Sequence, residues 1–293
     1  MYLENINNNT MKGLIIENNL IERVQVDLSR SIKKDISEFL KDSEYPGISM
    51  WLNKVFNEIE LNLSSREIII ILNNKYEMQI DGLTILKKNA DECKICTFLI
   101  KEGKRSNGYG SILMKESLEW LSNNNPSISV PLTKVKDMSG LLKKFNFKLS
   151  KFSVINGTDD RLEAFYNNQV GTNILMSIKT EYANEIFCGN KKVEFRKRFC
   201  TKFNSAVVYS SGVDRKLIGY FTPDKIELLS PGEIWKKYGW CGGISESKFN
   251  HYYESSEIGS AIVIKNFYKF PEKLSPNVFF GGKFNPPQNY MYL

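Results

Sequence analysis

A short run of small and polar residues, Arg105-Ser106-Asn107-Gly108-Tyr109-Gly110, has the composition of an anion-binding loop. It follows an uncharged apolar segment, 95–100, that predicts a buried strand, and it precedes leucines at helical spacing between 113 and 121. The first amides of a helix lack partners within the helix and lie at the positive end of its dipole, so they can bind a phosphate or pyrophosphate. The predicted anion site consists of Leu99, Ile100, Arg105, Ser106, Asn107, Gly108, Tyr109, Gly110 and Ser111.

Two interpretations of the loop glycines are open. Gly108 and Gly110 would let a phosphate approach the backbone closely, while Arg105 would add a mobile positive charge. Alternatively, the glycines belong to an ordinary strand-to-helix turn without a ligand. A Walker-type loop and a dinucleotide-binding fingerprint are excluded, because neither glycine spacing occurs here.

The spacing Arg-x-x-Gly-x-Gly between a strand and a helix resembles the acetyl-coenzyme A loop of the GNAT acyltransferase superfamily. The resemblance implies an α/β fold with a mixed sheet flanked by helices over residues 1–168, and acetyl-coenzyme A as the cofactor. The hydrophobic pattern agrees with that element order. The predicted elements are strand 13–17, helices 32–40 and 51–59, strands 66–72, 79–86 and 95–100, a helix to 121, strand 127–132, helix 138–144 and strand 149–155.

This resemblance assigns no catalytic residue. In the family a substrate amine attacks the thioester directly, and a tyrosine often protonates the leaving thiolate. The matching position here is Leu142, which cannot donate a proton. The residues therefore leave two roles open, an active acetyltransferase or a protein that senses acetyl-coenzyme A without catalysis.

The composition predicts a soluble protein of two domains, 1–168 and 171–293. The chain has 293 residues, 42% of them apolar and 25% charged, and no apolar run approaches the roughly 20 residues of a membrane-spanning helix. The N-terminal segment lacks the features of a secretory signal, so a cytoplasmic location is expected. Five cysteines without framework spacing and the single histidine, His251, predict free thiols and no metal site.

Charge is unevenly distributed along the chain. Residues 171–293 carry a net charge of +6, whereas residues 1–170 carry +1. In the positive part, alternation predicts a strand with Val193 and Phe195 facing inward. The opposite face would show Lys192, Glu194, Arg196 and Arg198. Such a face is either purely structural or a binding surface for nucleic acid. The second alternative is possible because the planar arginine guanidinium can hydrogen-bond both phosphates and base edges.

The same segment resembles the ASCH domain, a PUA-like β-barrel smaller than the preceding domain. Gly189, Lys191, Glu194 and Arg196 match the Gly-x-Lys-x-x-Glu-x-Arg strand of that family. The resemblance covers about residues 173–293 and implies an RNA or modified-nucleoside ligand. The implied ligand-binding residues are Lys191, Lys192, Glu194, Arg196 and Arg198. Some family members hydrolyse acetylated cytidine with a lysine and a threonine, but Glu194 occupies the threonine position, so we expect binding without hydrolysis.

Two hypotheses of different class follow. In the first, an N-acetyltransferase uses its C-terminal domain to deliver an RNA-linked or translation-related substrate, such as a tRNA, an aminoacyl-tRNA or a ribosome-associated protein. A toxin that acetylates aminoacyl-tRNA is a special case. In the second, a nucleic-acid-binding regulator uses the GNAT fold only to sense acetyl-coenzyme A. The first is preferred, because an intact pyrophosphate loop is easier to explain in a working enzyme.

Overall fold

The structure is a computed structural model of the chain and describes residues 10–17, 20–41, 47–61, 65–74, 79–155, 161–167 and 171–293. By proximity of Cα atoms, the chain divides into two compact units. The first unit contains residues 1–129 and 155–161, and the second contains residues 130–154 and 162–293. Residues 168–170 of the predicted joint lie outside the described residues, so the domain limits 1–168 and 171–293 stay a prediction.

The described residues form fourteen strands and eight α-helices, in a mixed order. Up to residue 166 they are β1 (Thr10–Glu17), β2 (Leu20–Asp27), α1 (Arg30–Phe39), α2 (Ile48–Glu60), β3 (Ser65–Leu72), β4 (Ile80–Lys88), β5 (Cys93–Ile100), α3 (Tyr109–Leu121), β6 (Ser127–Pro131), α4 (Leu132–Lys144), β7 (Leu149–Ile155) and β8 (Arg161–Tyr166). The later elements are β9 (Asn173–Lys179), α5 (Thr180–Phe187), β10 (Val193–Arg196), β11 (Ser205–Ser211), β12 (Lys216–Leu229), α6 (Pro231–Tyr238), α7 (Glu246–Tyr253), β13 (Gly259–Leu274), α8 (Asn277–Phe280) and β14 (Tyr290–Tyr292).

These elements build two sheets, so the predicted mixed α/β fold class is confirmed. One sheet has the strand order β2-β1-β3-β4-β5-β6-β8-β7, and the other has the order β10-β13-β12-β11-β9-β14. The pairs β1–β3 and β5–β6 are parallel, whereas β3–β4 and β4–β5 are antiparallel. Every helix among the described residues is too short or too polar to span a membrane.

In the first unit, the central strand β3 is covered on both faces, as its run of isoleucines requires. Ile68 and Ile70 pack into a core with α1 and α2, and Ile69 and Ile71 are also fully buried. The other face of the central strands carries α3, which packs against β3, β4 and β5. This arrangement places the loop before α3 at the end of β5.

In the second unit, aromatic residues from β7 and the C-terminal strands share a core. The Phe152 ring lies 4.9 Å from the Phe270 ring and 5.2 Å from the Phe279 ring, both measured between centroids. The amide of Val154 donates a hydrogen bond to the Tyr220 hydroxyl at 3.4 Å. The residues of β7 are therefore integrated into the packing of β12, β13 and α8.

Two kinds of local difference from the sequence predictions have physical causes. The predicted start of α4 at Met138 is wrong, because the helix begins at Leu132. Pro131 ends the β6 ladder, since it has no N–H to donate, and it leads directly into the first helical turn. Strands β2, β8 and β11 were not predicted from the sequence, because strand formation depends on packing against cross-strand neighbours as well as on the local residue pattern.

Prediction for the fold: Glu67→Gln should stabilise the protein in a pH-dependent way. Burial raises the pKa of Glu67 from 4.5 to about 6, although hydrogen bonds from the amides of Ile68 and Lys12 act to lower it. A carboxyl whose pKa is higher in the folded state lowers the free energy of unfolding once it ionises, so this penalty develops as the pH rises from 4.5 to about 6. We expect the variant to gain at most about 2 kcal/mol over wild type above that window and nothing below it.

Urea unfolding of both proteins at pH values across this window measures the difference directly. Glu38→Gln removes an exposed carboxylate on α1 and serves as the matched control. A gain for Glu67→Gln that does not change with pH would contradict the prediction.

Candidate functional sites

A single 3-10 turn, Glu102–Lys104, connects β5 to the loop before α3. The ammonium of Lys104 lies 3.1 Å from Oδ2 of the buried Asp81 in β4, and this hydrogen bond raises the pKa of Lys104. The amide of Lys101 donates to the Asp81 carbonyl at 2.9 Å. The Lys104 ammonium also lies 6.0 Å from the centroid of the Tyr109 ring. The loop is thereby tied to β4 and to the first turn of α3.

Two residues of the loop adopt left-handed backbone conformations, Ser106 at φ +63° and Gly108 at φ +83°. Gly108 is the N-cap of α3, and its carbonyl accepts hydrogen bonds from the amides of Ser111 and Ile112 at 2.9 and 3.1 Å. Amides in turns that use left-handed residues can form a concave nest for anions. A Cβ on Gly108 would meet no atom within 4 Å, so the space beside this residue is open.

The structure brings the predicted loop residues together at the end of β5. Arg105, Ser106 and Asn107 are exposed, and Leu99 and Ile100 are half-buried. The Arg105 Nε–H donates to the Ile100 carbonyl at 3.4 Å. The remaining members of the predicted set begin α3. They are Gly108, the N-cap, and Tyr109, Gly110 and Ser111 in the first turn.

The strands β5 and β6 diverge before they reach this loop. Their registered parallel pairs are Lys94 with Ser127 and Ile95 with Ile128, although β5 continues to Ile100. Beyond Ile95, the edge of β5 on that side is left without a strand partner in the described part of the chain. A pocket of about 370 Å³ in the first unit is lined by Cys96 and Thr97 of β5 and by Ser129 of β6.

Charged side chains line the same pocket. The buried Arg66 guanidinium contacts Glu58 at 2.5 Å, measured from Nε to Oε2, and its Nη1 donates to the Cys96 sulfur at 3.5 Å. Glu92 lines the pocket too, and its hydrogen bond from Lys87 at 2.7 Å lowers its pKa. The Glu92 carboxylate is therefore ionised at neutral pH and can bind an ammonium group.

In the second unit, three predicted ligand-binding residues form a buried ion cluster. Glu194 lies between Lys191, whose Nζ is 3.3 Å from Oε2, and Arg196, whose Nη2 is 3.0 Å from Oε1. Arg196 also donates to the Ser177 carbonyl at 2.7 Å, and Lys191 donates to the Gly242 carbonyl. Burial lowers the pKa of Lys191, although the nearby Glu194 carboxylate opposes the shift.

The predicted exposed face of this segment is wrong for Glu194, which is buried and is paired with two cations that stabilise its charge there. Val193 and Phe195 face inward as predicted. Lys192 and Arg198 are exposed and lie outside β10, so the structure does not bring them into the cluster. In the described residues, no three His, Cys, Asp or Glu side chains group as a metal site would require.

Sequence reasoning missed Asp81, Arg66, Glu92 and Trp240. Arg66 and Glu92 come together at the pocket only through strand pairing, and Asp81 of β4 meets Lys104 near the other end of the same strand. No local sequence pattern marks these three residues. The exposure of Trp240 could have been predicted from the sequence. This residue lies in the glycine-rich run Gly239-Trp240-Cys241-Gly242-Gly243, and a large side chain in such a turn is difficult to bury.

No family model matches the chain. A sequence match joins 122 of its residues, 41% of its length, to 82% of an ASCH domain-containing ribonuclease of Zymomonas mobilis, at 27% identity. The chain therefore contains an ASCH homologue. A second match, 27% identical over 106 residues, is to the large ribosomal subunit protein uL22 of Ureaplasma parvum. This match covers 35% of this chain and only 34% of the length of that ribosomal protein.

Solved structures similar to the chain fall into two groups. The crystal structure of ASCH from Zymomonas mobilis is 23% identical with a TM-score of 0.39 and covers 41% of this chain and 87% of its own. A spermidine N-acetyltransferase chimera from Vibrio cholerae and hSSAT is 17% identical with a TM-score of 0.36, covering 47% and 91%. An aminoglycoside 6'-N-acetyltransferase complexed with coenzyme A is 12% identical with a TM-score of 0.35, covering 47% and 90%. Independently of these scores, the order of strands and helices up to β7, apart from the unpredicted β2, is the one expected from the GNAT resemblance, so the predicted GNAT-type fold joined to an ASCH homologue is confirmed.

Prediction for the cluster: Glu194→Gln should destabilise the protein by about 3 kcal/mol at pH 7, because two buried cations lose their counter-charge. The loss should shrink as the pH rises toward 10. Without the carboxylate the already lowered pKa of Lys191 falls further, and the side chain becomes neutral.

Urea unfolding at pH 7 and pH 9.5 measures both effects. Glu254→Gln, which removes an exposed carboxylate after α7, is the matched control. An equal loss at both pH values would show that Lys191 does not respond to Glu194.

Proposed function

We propose that the chain is an acetyl-coenzyme A-dependent N-acetyltransferase whose ASCH-type unit binds RNA and delivers an RNA-linked or translation-related amine. One observation carries the proposal. The left-handed residues Ser106 and Gly108 directly precede α3, beside the edge of β5 that β6 leaves unpaired.

The residues present fit acetyl-coenzyme A. The amides around Gly108 can hold its pyrophosphate at the helix N-terminus, and the exposed Arg105 can add a charge-assisted hydrogen bond. The free edge of β5 beyond Ile95 can hydrogen-bond the amide-bearing chain that links the phosphates to the thioester. When bound, the cofactor supplies the activated acetyl group.

The pocket at Cys96, Thr97 and Ser129 is the proposed acceptor site. The acceptor's ammonium would first lose a proton to water, and its neutral amine nitrogen would then attack the acetyl carbonyl carbon. The carbon–sulfur bond would break, the new amide nitrogen would lose a second proton, and the leaving thiolate would take up one. The ionised Glu92 can hold the acceptor's ammonium before this step. Leu142 is buried in α4 and supplies no proton, so the proton comes from another group or from water.

Prediction for the loop: Gly108→Asp should abolish coenzyme A binding, whereas Gly108→Asn should weaken it only a few-fold. Aspartate and asparagine have nearly the same shape and both tolerate a positive φ. They differ in charge, and a carboxylate at this position would repel the pyrophosphate. Isothermal titration with coenzyme A checks the pair, and equal affinities in two folded variants would contradict a pyrophosphate site here.

The proposed reaction can be tested with labelled acetyl-coenzyme A, total cellular RNA and ribosomes, with Gly108→Asp as the inactive control. Base-labile label in RNA identifies an aminoacyl-tRNA acceptor. Label in protein that depends on added ribosomes identifies a ribosome-associated acceptor. No transferred label from a protein that binds coenzyme A would instead favour the sensing role.

RNA cleavage is a second candidate function of the ASCH-type unit. The homologue from Zymomonas mobilis is named a ribonuclease, and burial lowers the pKa of Lys191, as it does for lysines that transfer protons in active sites. Cleavage requires a base to take the proton of the attacking 2'-hydroxyl and an acid to protonate the departing 5'-oxygen. Lys191 is buried, however, so binding without cleavage is the first expectation.

Prediction for the ASCH-type unit: the full chain should leave labelled single-stranded RNA intact in EDTA and should release no acetate from acetylated cytidine. RNA should stay intact because Lys191 is buried, and acetate should not be released because Glu194 occupies the position of the family's threonine and is held in ion pairs. Gel electrophoresis and acetate detection measure the two outcomes. RNA fragments that form with the wild-type protein but not with identically purified Lys191→Met would establish RNA cleavage, the second candidate function, instead.

A further inference from the structure

Trp240 is an exposed tryptophan with a fixed orientation. It stands in the single 3-10 turn Gly239–Cys241, and 79% of its surface is exposed. Its indole N–H donates to the Lys237 carbonyl at 3.2 Å, which restricts rotation of the ring. The ammonium of Lys192 lies 5.8 Å from the centroid of that ring. A large aromatic surface held in solvent beside a cation is suited to contact a partner.

The turn that carries Trp240 is attached to the strand of the ion cluster. The amide of Lys192 donates to the Cys241 carbonyl at 2.8 Å, and the Lys191 ammonium donates to the Gly242 carbonyl. A Cβ on Gly242 would lie 2.3 Å from an atom of the Phe195 ring, so the turn packs directly on β10. Trp240 is therefore held beside the Lys191–Glu194–Arg196 cluster.

A second aromatic–lysine pair lies at the other end of β10. Tyr252 is 38% exposed, and the Lys197 ammonium lies 5.5 Å from the centroid of its ring. The amide of Lys197 donates to the Tyr252 hydroxyl at 3.2 Å. Lys192 and Lys197 flank the strand and are five residues apart, so roughly 16 Å separates the Cα atoms of these two lysines.

The two lysines are available for an anionic ligand. Both are exposed, and among the described residues neither has a carboxylate within ion-pair distance. By contrast, the neighbouring Lys237 is held by Glu227 at 2.8 Å. Residues 171–293 carry a net charge of +6, so an anionic partner is favoured over a neutral or cationic one.

We infer that Trp240 and Lys192 form a stacking site for an unpaired base of single-stranded RNA, with Tyr252 and Lys197 as a second contact on the same strand. This inference rests on the proposed RNA binding and names its site and the form of RNA. An aromatic ring stacks on any base, and a lysine pairs with any phosphate, so recognition tolerates sequence. Bases inside a duplex present no free face, so the site selects unpaired segments.

The test uses the full chain, a fluorescein-labelled 12-nucleotide RNA and the duplex of the same sequence. Fluorescence anisotropy at two salt concentrations measures affinity. We expect Trp240→Ala to weaken single-strand binding about 10-fold and Trp240→Phe to lose less than about 3-fold. Lys192→Ala should lower the slope of log affinity against log salt by about one. Duplex binding should be nearly the same in wild type and Trp240→Ala.

Lys283→Ala is the matched charge control, because Lys283 is exposed between α8 and β14 and belongs to neither aromatic–lysine pair. It should leave the single-strand affinity within about 2-fold of wild type. Single-strand binding by wild type that Trp240→Ala does not change would overturn this inference alone, and would leave Trp240 to a protein partner. Absence of RNA binding by wild type would overturn the RNA-binding part of the proposed function as well.

Discussion

The position of α3 depends on one buried carboxylate. Glu116 lies on the sheet side of this helix, and Arg23 of β2 contacts it through Nη2 at 2.6 Å and Nε at 3.3 Å, while Lys12 of β1 contacts it as well. Burial by itself would raise the pKa of Glu116, but hydrogen bonds from both cations outweigh burial and lower it. An ionised, paired carboxylate in the middle of α3 fixes the rotation of the helix on the sheet, and with it the direction of the amides at its N-terminus.

The second unit contains a cluster of the same kind. There one carboxylate, Glu194, pairs with two largely buried cations, and these also donate to backbone carbonyls, Lys191 to Gly242 and Arg196 to Ser177. Buried ion pairs contribute little net stability, yet they tolerate few alternative arrangements, because any shift leaves a charge unpaired. The clusters therefore specify geometry. One orients a helix that can receive an anion, and the other orients a strand with an exposed aromatic–lysine pair at each end.

Acetyl transfer and RNA binding would benefit from being on one chain. A substrate that the second unit holds through its RNA is confined near the first unit, and this raises its effective concentration without any new contact. Weak recognition of the amine itself would then be sufficient.

The sequence by itself determined the loop before α3, the alternation of Val193 and Phe195, and the order of most strands and helices. These features follow from local sterics and from the period of apolar residues, which act over a few residues. Only the tertiary structure decided that β5 and β6 diverge, that Arg66 meets Cys96, and that Glu194 is buried. The Lys191 contact with Gly242 joins residues 51 positions apart, and a burial pattern cannot show which distant turn covers a strand. Exposure of Trp240 likewise depends on where that turn is anchored, because burial is a property of the packed neighbours and not of the residue.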